Sequence, residues 1–167
     1  MKSTNNLRIL ERKGLIPPVI MCDELPVTEK ANNVVNAARQ GISDIVHGKD
    51  NRLVVLCGPC SIHDYDAAMD YAHKLKGMID TYQDKLVIIM RVYFEKPRTT
   101  VGWKGFINDP DLDGSFEINK GLRQARQLLL DINNLGVPCG TEFLDTISPQ
   151  YVTDLISWGA IGARTTE

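Results

Sequence analysis

Long apolar runs are missing from this sequence. None approaches the roughly 20 residues that a membrane-crossing helix requires, and Met1-Lys2-Ser3-Thr4-Asn5-Asn6 leads into no signal-type apolar core. The expectation is a cytosolic (cytoplasmic) protein with no membrane partner. Charge of one sign is missing too: 19 Lys plus Arg stand against 21 Asp plus Glu, a formal net charge of −2. A blanket electrostatic hold on nucleic acid is therefore not expected, and any anion must be gripped locally. Cysteine is sparse, four in 167 residues, too few for a disulfide scaffold, although a clustered pair points toward redox or metal chemistry. Internal repeats, low-complexity tracts and interdomain linkers are absent. What remains is 43% apolar, the ordinary composition of a globular domain.

The opening segment, to about Asn33, mixes Asn, Lys and Glu around Ile16-Pro17-Pro18 without sustained periodicity and reads as an arm. From Thr28, an N-cap, apolar residues recur every three or four positions from Val34 to Val46 and stop at Gly48, which predicts an amphipathic helix. Leu53 to Leu56 reads as a strand buried on both faces, ended by Gly58-Pro59. Ser61 or Asp64 can cap a helix whose stripe runs from Ala68 to Ile79. A second strand spans Leu86 to Tyr93, a helix from Ile118 to Ile132 closes at Gly136, and a third strand covers Val137 to Leu144. Ser148-Pro149 starts a helix ending at Gly159, and Ala160 to Arg164 forms a fourth strand. Alternation of this kind predicts parallel βα units in an α/β fold. Residues 1–50 are expected to form the arm and first helix, and 51–167 the βα domain.

Phe94 to about Ser115 is a long connection without periodicity, and such loops inside compact domains usually carry function. Between Glu95 and Gly105 it holds Lys96, Arg98, Lys104, two threonines and two glycines, groups suited to phosphate.

Cys57-Gly58-Pro59-Cys60 has the spelling of a thioredoxin-type dithiol. Leu56 replaces the Trp expected before it, and Ser61-Ile62-His63-Asp64 follows where a basic helix start would be. From spacing alone, two buried thiols and a single metal ligand at Cys60 stand level, with the redox pair behind both. Asp109-Pro110-Asp111-Leu112-Asp113-Gly114 matches the start of a calcium loop, but Lys120 stands at the twelfth position, where a Glu is needed, and a turn before a helix fits better. His63 would make a Cys-x-x-His pair with Cys60, yet a lone pair is no metal site, and local hydrogen bonding is the favoured reading.

Position is more telling than spelling. If the strands are parallel, Cys60, Arg91 with Lys96 and Arg98, Glu142, and Arg164 fall at or just past the C-terminal ends of strands one to four. They share the rim where ligands bind in parallel α/β folds. Cations, a carboxylate and a thiol gathered there suit a substrate bearing phosphate and carboxylate.

These residues also carry a family likeness. Cys57 to Asp64, Met90 to Gly105, and Ser157 to Glu167 resemble class I 3-deoxy-D-arabino-heptulosonate 7-phosphate (DAHP) synthase of the type inhibited by an aromatic amino acid. The resemblance implies the first half, about four βα units, of a (β/α)8 TIM barrel behind an N-terminal extension. It implies a transferase that joins phosphoenolpyruvate to erythrose 4-phosphate at the entry to the shikimate pathway, with feedback by an aromatic amino acid and a homo-oligomeric state. It implies a divalent metal, such as Mn, Fe or Co, with Cys60 among its ligands. Arg91, Lys96, Glu142, Gly162, Ala163 and Arg164 match positions around phosphoenolpyruvate, and Pro97, Arg98 and Thr99 match the erythrose 4-phosphate site. Lys96 and Glu142 match catalytic positions: Lys96 beside the aldehyde oxygen, Glu142 as a group able to orient water. The family's other metal ligands come from strands five to eight, which the sequence lacks, so the expectation is an N-terminal half that is inactive alone. The alternatives are a non-catalytic half-barrel binding phosphorylated metabolites or a synthase subunit, and, more distantly, a thioredoxin-like oxidoreductase.

Overall fold

The computed structural model describes residues 4–9, 11–98 and 100–162. Thr99, Ala163 and Arg164, three of the candidate site residues, lie outside the described residues. The arm contains a helix that periodicity does not reveal: α1 (Pro18–Glu24) opens on a proline at its first turn, where no N–H is lost. It is too short to show a stripe, but its Met21 is fully buried in the main core. α2 (Glu29–Val46) starts as predicted, the Thr28 side chain accepting the Ala31 N–H at 3.1 Å. β1 (Leu53–Cys57) leads to α3 (Tyr65–Tyr82), which Asp64 and not Ser61 caps, accepting the Ala67 N–H at 2.7 Å. His63 consequently precedes the helix and is exposed.

β2 (Leu86–Arg91) is followed by the long loop and then by α4 (Ile118–Leu135), which Gly136 closes with φ 95. β3 (Cys139–Phe143) comes next. The single helix expected from Ser148 to Gly159 is instead α5 (Pro149–Val152) and a 3-10 turn, Thr153–Leu155. Ser148 does not cap it, because its hydroxyl donates to Glu95 instead. Gly159 belongs to β4 (Trp158–Ile161), where a Cβ would lie 2.7 Å from the Phe143 ring.

Among the described residues the four strands form one sheet in the order β1-β2-β3-β4, every pair parallel. Side chains alternate across it. One face sends Val55, Cys57, Ile88, Met90 and Cys139 into the cluster built with α3 and α4, which also holds Met21 and Ala31. On the other face a Cβ at Gly140 would meet Ile89 at 3.2 Å and Leu56 and Trp158 at 3.4 Å, so these four residues converge. Four strands layered in this way make a half-barrel. Burial of β1 on both faces does not occur: Leu53, at the start of the strand on the helix-facing side, is exposed, and the rest is half-buried, with no second layer of described residues over Val54 and Leu56 on the inner side.

Candidate functional site

Parallel strands place everything that follows them at one end of the sheet. Cys60 lies three residues past β1, Arg91 ends β2, Glu142 is in β3, and Gly162 follows β4. Lys96 reaches across from the long loop: its Nζ stands 3.3 Å from the Cys60 Sγ and 3.4 Å from the Cys60 carbonyl oxygen. Arg91 donates to the same carbonyl at 3.3 Å. Its guanidinium lies over the Tyr93 ring, 3.7 Å from the centroid, and its Nε is buried without a hydrogen-bond partner among the described residues. The hydrogen bond and charge of Lys96, helped by the charges of Arg91 and Arg98, hold the Cys60 thiol below its ordinary value. A thiolate is thereby favoured on an exposed sulfur.

Glu142 is half-buried; its charge reaches Tyr93, whose phenol is raised chiefly by burial. A Cβ on Gly162 would stand 3.3 Å from the Glu142 Oε1 and 2.3 Å from Leu144, so the chain passes close over the carboxylate there. Pro97 is half-buried and Arg98 exposed, its carbonyl accepting from Lys104 at 2.6 Å. Cys60, Arg91, Lys96, Arg98 and Glu142 thus lie at one end of the sheet, as strand-end position predicted.

The model of the DAHP synthetase I family matches residues 24–167. The chain belongs to that family. A Phe-sensitive phospho-2-dehydro-3-deoxyheptonate aldolase of Escherichia coli (strain K12) is 60% identical over 163 residues, 98% of this chain and 47% of its own length. A Trp-sensitive one of Buchnera aphidicola subsp. Acyrthosiphon pisum (strain APS) is 56% identical over 167 residues, covering 100% of this chain and 48% of the relative. The solved phospho-2-dehydro-3-deoxyheptonate aldolase of Francisella tularensis SCHU S4 superposes with a TM-score of 0.89 at 57% identity, over 93% of this chain and 46% of that one. The chain spans about half the length of these relatives.

Within a DAHP synthetase I chain, the two cysteines of the CxxC spelling have separate surroundings. Cys57 packs into the helix-facing core beside the Tyr71 hydroxyl of α3, whereas Cys60 stands on the rim, which removes the reason for a thioredoxin reading. The calcium-like run is a turn: Asp109 is buried and its carboxylate accepts the Gly114 N–H at 3.1 Å. The donor chemistry of Cys60 fits one soft metal ligand, but among the described residues no group of three or more His, Cys, Asp or Glu could hold an ion. One thiolate is not a complete site.

Two residues were not singled out from sequence. Tyr93 escapes notice because a tyrosine just after a strand reads as packing, yet it carries the Arg91 guanidinium. Glu95 escapes because a Glu in a basic loop reads as a solvated charge. It is 6% exposed, and its carboxyl is pushed up to about 7, first by burial and then by the charge of Asp145.

Proposed function

We propose that this chain supplies one half of a class I DAHP synthase active site, condensing phosphoenolpyruvate with erythrose 4-phosphate at the entry to aromatic amino acid biosynthesis. The observation that carries the reading is the contact of Lys96 with Cys60, beside Arg91, at the rim of a parallel half-barrel. In this reading Arg91 binds an anionic group of phosphoenolpyruvate, bidentate geometry being natural to a guanidinium. The Lys96 ammonium stabilises the alkoxide that develops when the enol carbon attacks the aldehyde, a type of contact worth about 3 kcal/mol of barrier. Glu142 orients the water that next attacks the adjacent carbon, the one bearing the phosphate ester oxygen, before phosphate departs from that carbon. Pro97, Arg98 and Thr99 receive the phosphate end of erythrose 4-phosphate, and Gly162, Ala163 and Arg164 that of phosphoenolpyruvate. A divalent metal held in part by Cys60 would supply Lewis acidity toward the aldehyde when bound. The reading includes a complete (β/α)8 barrel, a cytoplasmic location, self-association and feedback by an aromatic amino acid, the last supported by the Phe- and Trp-sensitive names of the relatives.

The test mixes the 167-residue chain with a separately expressed C-terminal half of the Escherichia coli relative, and follows DAHP formation from both substrates with Mn²⁺. The mixture is expected to form product and to lose it with Lys96→Met, while the chain alone forms none. If the two halves of the relative make DAHP together and this chain cannot replace its counterpart, the proposal fails. Binding of phosphoenolpyruvate without turnover would select a non-catalytic half-barrel instead.

A further inference from the structure

Lys96 is placed by a short stretch of extended chain. Glu95 pairs with Gly105 in an isolated antiparallel bridge, and the Lys96 N–H donates to the Lys104 carbonyl at 2.9 Å. Only glycine serves at 105, because φ is 117 there and a Cβ would stand 2.1 Å from the Phe94 oxygen. Neighbouring side chains on such a stretch point opposite ways. Lys96 goes out to Cys60; Glu95 goes in, where its Oε2 accepts the Ser148 hydroxyl at 3.0 Å and its carboxyl meets that of Asp145. Asp145 in turn accepts the N–H groups of Ile147 and Ser148 at 2.6 and 2.7 Å. Burial and the Asp145 charge push the Glu95 carboxyl up to about 7, and below that pH its proton lies against Asp145.

We propose that Glu95 is a positioning residue for Lys96: clasped by Ser148 and Asp145, it fixes the base of the 95–105 loop to the β3–α5 connection, so that the next side chain reaches the Cys60 rim. The proposal takes its interest from the role given to Lys96 above, but its geometry stands apart from that role. The cavity beside Glu95 is lined by Leu15 of the arm, Ile118 and Leu122 of α4, and Tyr151 of α5, whose hydroxyl donates to the Ile16 carbonyl at 2.6 Å. Asp145 is the charged neighbour, and no Lys, Arg or His among the described residues lines the cavity. Raising the pH through about 7 ionises Glu95 against Asp145 with no described cation beside the pair, and the clasp opens.

The test uses the 167-residue chain with its lysines ¹³C-dimethylated and the Lys96 signal assigned by its loss in Lys96→Arg. In the parent chain this signal is expected apart from the bulk lysine envelope at pH 6 and moved toward it at pH 8.5. Glu95→Gln, which can accept from Ser148 and donate to Asp145, keeps it apart at both values. Glu95→Ala merges it with the envelope at both and speeds amide exchange of Lys96 and Phe106 at least tenfold, with residues 86–91 protected as before. Should Glu95→Ala not fold, Ser148→Ala is read in the same way, with a smaller displacement. A parent-like Lys96 signal in the alanine variants, or the same pH response in Glu95→Gln as in the parent, overturns the proposal. No reading here uses turnover, so a half-barrel that shows these contrasts but yields no DAHP on mixing refutes the synthase reading and leaves the positioning role standing.

Discussion

A thiol three residues beyond a strand has no cause to ionise more readily than a free one unless a cation stands on it, and Lys96 is that cation. Favouring the thiolate lowers the pH at which alkylation accelerates, so removing the ammonium must raise it. Lys96→Met is accordingly expected to slow iodoacetamide labelling of Cys60 at pH 7 several-fold and to move the midpoint of the rate-against-pH curve upward. Peptide mass analysis separates Cys60 from Cys139, which is fully buried and whose thiol burial drives upward. An unchanged curve would show that the 3.3 Å contact does not govern the sulfur. At this scale the charges of the site were legible, because a Cys, an Arg and a Glu at successive strand ends need only the strand pattern to be gathered. Glu95 and Tyr93 were not legible, since burial beside Ser148 and stacking under Arg91 come from the β3–α5 connection and from a rotamer, neither of which leaves a mark at the residue itself.

Elements were readable where they repeat and unreadable where they are short. Stripes in α2, α3 and α4 and the β-branched runs of β1 and β2 carry their own period, and Thr28, Asp64 and Gly136 punctuate them as their chemistry dictates. α1 and α5 have too few turns to show a stripe and are set by what they pack on, Met21 in one case and Tyr151 in the other. The seating of α4 against the long loop is likewise tertiary: a Cβ at Gly121 would stand 2.1 Å from the Ile107 carbonyl oxygen, so helix and loop touch backbone to backbone. Gly121→Ala should push the loop off the helix and cost about 1–3 kcal/mol, as overpacking does, read from the urea midpoint. Gly77, in the middle of α3 with no described residue outside its own helix turn within 4 Å of its missing Cβ, is the control. Gly77→Ala should instead stabilise by about 1 kcal/mol through helix propensity. Equal effects at the two positions would mean that the close approach at Gly121 is absorbed by the loop without cost.

For the molecule as a whole, the helices saturate one face of the sheet and leave its other face and both edges to be satisfied elsewhere. Leu53 at the start of β1 is 66% exposed, and Ile161 at the end of β4 is 84% exposed. Among the described residues both are outer strands, each with one backbone edge unpaired in the sheet beside an apolar side chain, the arrangement that templates pairing with another chain. The relatives are about twice as long over the same alignment, so the partner surface in them can come from the rest of their own chain. For the 167 residues expressed by themselves, an edge that no described residue covers is open to pairing with other molecules. Sedimentation velocity is expected to show association that grows with concentration. Leu53→Lys together with Ile161→Lys should shift the distribution toward monomer without altering the helical signal in circular dichroism, since neither side chain belongs to the core cluster. Association that ignores both lysines would place the sticky surface on the inner face, at Leu56 and Trp158. Addition of the complementary half of a relative should then suppress it while the edge lysines do not.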